Sequence, residues 1–185
     1  MGALARGCLI VATALGTAEC GRPRLGAQTI TAPELTAAFL INFVRFTTWP
    51  SDVLEDRVPI AVCVIGHDGV SDSLVHLTRG KNVNDHPLEI ERRNVNRSVD
   101  GCHVIYGAGF DGKDAQWLIR AATGRAVLTV SDLTDFAQRG GVANFFIDGG
   151  RMRFAVNPAA AERARLRISS KLLTLAKVVR DDGGT

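Results

Sequence analysis

Nearly continuous apolar segments of strand length are the feature that most constrains the fold of this chain. Residues 58–65 and 126–130 carry almost no polar side chains. Strands of this kind are buried on both faces, as in a parallel sheet that helices cover on its two sides. Residues 86–93 instead alternate apolar and polar side chains, which predicts a partly exposed strand. These segments therefore predict a sheet flanked by helices.

The remaining elements follow from local signals. A helix is expected to begin near Thr31, which can cap it, and to end at Trp49-Pro50, because a proline disfavours helical geometry in the residue before it. Other strands are expected at residues 102–106 and in a hairpin of 142–147 with 152–156, and other helices at 74–77, 115–122, 158–165 and 170–179. This order predicts an α/β single-domain sandwich, with a mixed, mostly parallel sheet and a C-terminal β-hairpin.

The first 27 residues have the pattern of a secretory signal peptide. One positive charge precedes an apolar run at residues 8–15, which is too short to span a bilayer, and small residues follow. Cleavage after Ala18 would leave three cysteines and cleavage after Ala27 would leave two, and an even number suits an oxidising compartment. We therefore expect a mature domain of residues 28–185. A lipid anchor is not expected, because Glu19 stands where a small residue should precede Cys20.

The charge of the mature chain limits its partners. Removal of residues 1–27 takes three arginines and one glutamate from a chain of formal charge +3, and leaves +1. A charge so close to zero predicts neither nucleic-acid binding nor a polybasic contact with a membrane. The mature length suits one domain with a proper core.

Two cysteines, Cys63 and Cys102, each lie in a predicted core strand. If these strands are neighbours, facing cysteines come within bridging distance. Such a bridge would close a loop of roughly 40 residues and stabilise the fold by about 4 kcal/mol on the chain-entropy model. The alternative is two buried free thiols that act as small apolar groups. Export to an oxidising compartment favours the disulfide.

The segment from Gly107 to Gly112 matches the G-x-G-x-x-G pattern of dinucleotide-binding folds, and Asp132 follows at the expected distance. Asp111 and Asp114, however, would place negative charge where the pyrophosphate must sit. An ordinary turn between a strand and a helix is the favoured interpretation, and no cofactor is expected.

No other motif assigns a catalytic or metal-binding residue. The four histidines lack the spacings of metal sites, and Ser169-Ser170-Lys171 lacks the S-x-x-K spacing of serine–lysine hydrolases. Ser169 is better explained as a helix cap. Phe46 and Trp49 are candidates for a partner or ligand surface, and a buried role is the alternative for both.

Several segments resemble, in order, the YfiR family of periplasmic regulators. The opening helix has the sequence AAFLINFVRF and leads to Trp49-Pro50. A first strand IAVCVIG and a second cysteine strand CHVI follow, then TVSD, Phe136, Gly140-Gly141 and the hairpin end RFAVN. The closing segment is LRISSKLLTLA. The resemblance covers nearly the whole mature chain.

The resemblance implies a function as well as a fold. In the best-known branch of the family, the protein binds the periplasmic part of an inner-membrane diguanylate cyclase and holds it inactive. The resemblance implies a compact α/β domain, a tendency to form a homodimer, and a disulfide that matches Cys63 and Cys102. Some members have a second cysteine pair near the C-terminal hairpin, which this chain lacks. We therefore expect an exported, non-enzymatic regulator of a membrane signalling protein, with a periplasmic small-ligand-binding protein as the alternative.

Overall fold

The structure is a computed structural model that describes residues 32–66 and 69–181. The expected leader at residues 1–27, the helix cap at Thr31 and the side chain of His67 lie outside these ranges. The helices are α1 (Ala32–Arg45), α2 (Val70–Thr78), α3 (Gly112–Ala122), α4 (Pro158–Arg163) and α5 (Ser170–Leu173). The strands are β1 (Thr47–Thr48), β2 (Ile60–Ile65), β3 (Asn82–Val83), β4 (His86–Arg93), β5 (Val104–Gly107), β6 (Leu128–Ser131), β7 (Ala143–Asp148), β8 (Arg151–Val156), β9 (Arg167–Ile168) and β10 (Lys177–Val178).

Eight of these strands form one sheet in the order β10-β8-β7-β6-β5-β2-β4-β3. The strands β4, β2, β5, β6 and β7 are parallel to one another. At the edges, β3 is antiparallel to β4, β8 is antiparallel to β7, and β10 runs parallel to β8. The expected mixed, mostly parallel sheet and the C-terminal hairpin, β7–β8, are therefore confirmed.

The two larger of three hydrophobic clusters in the described residues lie on the two faces of the sheet, because successive strand residues point to opposite sides. In β2, Val62 and Val64 belong to the larger core, whereas Cys63 and Ile65 belong to the smaller one. The helices α1 and α2 pack on the larger core, and α3 packs on the smaller one. All six residues of β2 are buried, as its apolar sequence predicts.

The predicted helix at residues 170–179 is wrong beyond its first turn. Helix α5 ends at Leu173, and the chain then forms the edge strand β10 beside β8. The backbone N–H of Val179 donates to the carbonyl oxygen of Val156 at 2.9 Å. Two consecutive β-branched valines favour this extended pairing over another helical turn.

Two further boundaries differ from the prediction. Helix α1 ends at Arg45, four residues before Trp49, because the chain turns there into β1. Cys102 lies in the turn before β5 and not in the strand, and its backbone N–H donates to the carbonyl of Val99. A cysteine in a tight turn can still reach a neighbouring strand, and Cys102 does reach Cys63 in β2.

Candidate protein-binding surface

The small β1–β9 ribbon joins two segments that are far apart in the sequence. Thr47 pairs with Ile168 and Thr48 pairs with Arg167 in antiparallel register. The backbone N–H of Ser169 extends the pairing by donating to the carbonyl oxygen of Phe46 at 2.8 Å. The end of the opening helix and the closing segment of the chain therefore form one surface.

Phe46 and Trp49 occupy different depths at this place. Phe46 is partly buried and packs against the larger core, so part of its ring remains outside. Trp49 belongs to that core and is only 7% exposed. The indole N–H of Trp49 and the hydroxyl of Thr47 are buried and have no hydrogen-bond partner among the described residues. Trp49 is therefore a core residue, and only Phe46 contributes to the exterior.

The exposed charged residues of the two joined segments are all basic. Arg45, Arg167 and Lys171 are exposed, and residues 45–49 and 166–173 contain no acidic residue. We use the name ribbon surface for the exterior formed by Arg45, Phe46, Thr48, Arg167 and Lys171. Its combination of a half-buried aromatic ring with three cations is suited to contact with an acidic protein face.

Two local contacts fix the shape of the chain around the ribbon surface. The hydroxyl of Ser169 accepts a hydrogen bond from the backbone N–H of Lys171 at 3.3 Å and caps α5. This contact confirms the prediction that Ser169 is a helix cap. The guanidinium of Arg165 donates to both carboxylate oxygens of Asp52 at 2.7 Å, and this hydrogen bond lowers the pKa of Asp52.

The expected disulfide between Cys63 and Cys102 is present, with Cα atoms 5.9 Å apart. Both residues are buried in the smaller core, on the side of the sheet that carries α3. The bond fastens the centre of β2 to the turn that leads into its neighbour β5. It therefore braces the sheet on the face opposite the core that contains Trp49 and packs against Phe46.

His103, which follows the disulfide-bonded Cys102 in the sequence, is half-buried. Its Nδ1 atom accepts a hydrogen bond from the backbone N–H of Ala61 at 3.0 Å, and its own backbone N–H donates to the carbonyl of Ala61 at 2.9 Å. Burial lowers the pKa of His103, and the nearby His86 adds to this effect, while a hydrogen bond with the backbone of Val53 opposes it. The neutral imidazole therefore has a structural role between two strands.

The glycine-rich turn is filled by residues of the chain itself. A Cβ atom at Gly107 would clash with the ring of Phe110, and the backbone N–H of Gly109 donates to Asp132 at 2.9 Å. Asp111 caps α3 and accepts from the N–H groups of its first turn, which lowers the pKa of this carboxyl group. These carboxylates occupy the donors that a pyrophosphate would use. The geometry thus favours the turn interpretation over the nucleotide-site interpretation.

The described part of the chain offers no group of three or more metal-ligating side chains. None of its helices has both the length and the apolar character needed to cross a membrane. The described residues therefore form an α/β domain with an internal disulfide, and the ribbon surface is a candidate for contact with another molecule.

The family assignment follows from comparison with known proteins. The model of the YfiR/HmsC-like family (DUF4154) matches residues 33–177, and the chain belongs to this family. The chain is also similar to a solved structure, a conserved domain protein from Vibrio cholerae O1 biovar El Tor strain N16961. The identity is 14%, the TM-score is 0.53, and the match covers 80% of this chain and 60% of that chain. This likeness concerns the fold, and the chain spans less than two thirds of the length of that relative.

Proposed function

We propose that this protein is an exported, non-enzymatic regulator that binds the periplasmic part of an inner-membrane signalling protein. A diguanylate cyclase is the leading candidate for the partner, and the effect of binding is to restrain cyclic di-GMP synthesis. The family match over residues 33–177 is the observation that supports this function most directly. The protein acts by binding one state of its partner more tightly than the other. The difference between its affinities for the two states sets how far it can shift the equilibrium between them.

The cysteine chemistry supports an oxidising location. A buried disulfide joins Cys63 to Cys102, and such bonds persist mainly outside the cytoplasm. The proposed signal peptide at residues 1–27 would bring the chain there, and cleavage after Ala27 would leave no other cysteine. The periplasm is therefore the proposed location of the mature domain, residues 28–185.

The ribbon surface is the proposed contact with the partner, and the exposed part of Phe46 belongs to it. Trp49 contributes indirectly, because its burial in the larger core anchors the chain three residues after Phe46. The three cations of the surface would speed association with an acidic face of the partner, and this effect would weaken as salt increases.

A capture experiment from solubilised inner membranes tests both the function and the surface. The immobilised wild-type protein is expected to retain a membrane signalling protein, identified by mass spectrometry. The double variant Arg45→Glu/Arg167→Glu should retain about tenfold less of this partner in a short incubation, because the reversed charges slow association. The matched control Arg79→Glu/Arg97→Glu reverses two exposed arginines elsewhere and should bind as the wild type does.

The two possible failures of this experiment have separate meanings. If the wild-type protein retains no signalling protein, the proposed function is wrong. If the Arg45→Glu/Arg167→Glu variant binds as well as the control variant, the ribbon surface is not the contact, whereas the function stands. Deletion of the gene should in addition raise cellular cyclic di-GMP, and an unchanged level would contradict the cyclase as the partner.

A periplasmic small-ligand-binding protein is the second candidate function. A groove of about 1150 Å³ beside α3 favours it, because ligand pockets in proteins commonly have volumes of this order.

A further inference from the structure

The groove beside α3 lies where the sheet opens between β6 and β7. All four residues of β6 pair with β5, but only Val130 and Ser131 pair with β7. Because β7 begins only at Ala143, Leu128 and Thr129 have no strand partner on that side, and the backbone N–H of Val142 donates to the hydroxyl of Thr129 at 3.0 Å. A space of about 1150 Å³ opens there, between α3, the turn at residues 135–140 and the end of α4.

The groove has an apolar floor and a charged rim in which arginines outnumber carboxylates. Val127 and Val142 are buried residues that form part of the floor. The rim carries three arginines and two carboxylates: Arg120, Arg139, Arg163, Asp135 and Asp181. An apolar floor with a few convergent polar groups is the usual composition of a small-molecule site.

Two of the three arginines have no partner in the described part of the chain. Arg163 donates to Asp181 at 2.8 Å, so its charge is already compensated. The side chains of Arg120 and Arg139 make no hydrogen bond or ion pair with any described residue. The guanidinium of Arg139 lies above the first turn of α3, with Nη1 3.9 Å from where a Cβ of Gly112 would be. Unpaired guanidinium groups in a groove favour phosphate or carboxylate ligands.

A buried acceptor completes the set of polar groups. The side-chain oxygen of Gln138 is buried and has no hydrogen-bond donor among the described residues, while its amide nitrogen donates to Asp135 at 3.1 Å. A buried acceptor without a donor is costly, so it commonly marks a place for a ligand or an ordered water. The ligand that satisfies it must carry an N–H or O–H group.

The turn that presents Gln138 and Arg139 is held rigidly by two buried asparagines. Asn144 accepts from the backbone N–H of Ala137 at 3.1 Å, and Asn157 donates to the carbonyl oxygen of Ala137 at 2.9 Å. Because both backbone groups of Ala137 are fixed, the next two side chains are positioned before any ligand arrives. Such preorganisation reduces the entropic cost of binding.

We propose that this groove binds a small organic anion: a phosphate or carboxylate group on an apolar body that also carries a hydrogen-bond donor. Arg120 and Arg139 bind the anionic group, the body lies on Val127 and Val142, and the donor pairs with Gln138. The inference deepens the second candidate function and is independent of the partner-binding proposal, because it concerns the isolated protein. The ribbon surface shares none of these residues.

Isothermal titration calorimetry with four matched probes tests the proposal. 4-Aminophenyl phosphate has all three ligand features, phenyl phosphate lacks the donor, 4-aminophenol lacks the anion, and inorganic phosphate lacks the body. The complete probe should bind tightest, phenyl phosphate should bind more weakly, and 4-aminophenol should not bind at millimolar concentration. Equal binding of inorganic phosphate and the complete probe would indicate an adventitious ion only and would overturn the proposal.

Substitutions show whether the binding occurs in the groove. Arg120→Gln and Arg139→Gln should each weaken binding of the complete probe about tenfold, the usual loss for one charge-assisted hydrogen bond. Gln138→Met should remove the difference between the complete probe and phenyl phosphate. Arg97→Gln, an exposed arginine outside the groove, is the matched control and should change nothing.

Each result of these binding measurements either supports the ligand-binding proposal or overturns it. The variants change exposed or partly exposed side chains, and unaltered thermal unfolding would show that each remains folded. No binding of the complete probe to the wild-type protein at millimolar concentration overturns the proposal. Unchanged affinity in folded Arg120→Gln and Arg139→Gln variants overturns it as well. Neither result affects the capture experiment, so the partner-binding function is judged separately.

Discussion

Removal of the disulfide should lower the free energy of unfolding by about 4 kcal/mol. Cys63 and Cys102 are separated by 39 positions, and closing a loop of that length removes this amount of free energy through the entropy of the unfolded chain. For a domain of this size, the loss corresponds to a fall in Tm of roughly 8–16 °C. Alanine is the appropriate replacement because both side chains are buried, at 0% and 5% exposure, and serine would bury a hydroxyl group.

Urea unfolding of four proteins measures this effect and isolates the cross-link. The set is the wild type, Cys63→Ala, Cys102→Ala and the double variant, each followed by circular dichroism. Either single substitution breaks the bond. Each single variant should therefore lose nearly as much free energy of unfolding as the double variant does, so the two losses are strongly non-additive. The wild type unfolded in the presence of a thiol reductant is the control, because it lacks the bond but keeps both sulfur atoms.

Two results would refute the reasoning about the disulfide. One is a double variant that unfolds at the same urea concentration as the oxidised wild type, which would mean that the bond contributes no net stability. The other is additive single-variant losses together with a reduced wild type that is as stable as the oxidised one. Packing of the sulfur atoms, and not the cross-link, would then account for the stability.

Two further predictions concern buried polar groups of the fold. His103→Asn should weaken the pH dependence of stability. The lowered pKa of His103 means that the wild type loses stability as pH falls below about 6.5, because the unfolded chain binds a proton that the neutral folded imidazole resists. Asparagine keeps an acceptor for the N–H of Ala61, so a variant whose Tm falls as steeply as the wild type between pH 7.5 and about 5.5 would contradict this role. Asn157→Ala should cost about 2–3 kcal/mol in urea unfolding, because it removes the cap on Ala160 and a donor to Ala137. Asn157→Ser keeps a capping oxygen and should lose less free energy of unfolding than Asn157→Ala. Equal losses in the two variants would show that the cap on Ala160 does not contribute to stability.

Local sequence patterns predicted the central strands well. The strand at β4 begins and ends where the alternation of residues 86–93 does, and β2 is buried on both faces as its unbroken apolar run indicates. These patterns succeed because burial on one or both faces leaves a direct trace in consecutive residues. The segment at 170–179 failed because its last residues extend the sheet beside β8, a partner that no local pattern reveals.

The candidate surfaces also combine residues that the sequence indicates with an arrangement that only the tertiary structure shows. Phe46 and Trp49 could be selected from the sequence, yet their different burial depends on the pairing of β1 with β9, more than a hundred positions later. The groove residues Arg120, Arg139 and Gln138 carried no recognisable signal, since they come from a helix and a turn that meet only at the opening of the sheet.

The sequence by itself determined the kind of layers that this protein builds, the cysteine pair available for a cross-link, and the resemblance to its family. Apolar runs, helix caps and cysteine number are properties of neighbouring residues, and the physical preferences behind them act locally. Tertiary structure alone decided that Cys102 bridges from a turn, that residues 45–49 meet residues 166–173 in the ribbon surface, and that unpaired arginines gather around one groove. Each of these depends on contacts between distant segments, whose geometry is set by packing of the whole domain and not by any single stretch of the chain.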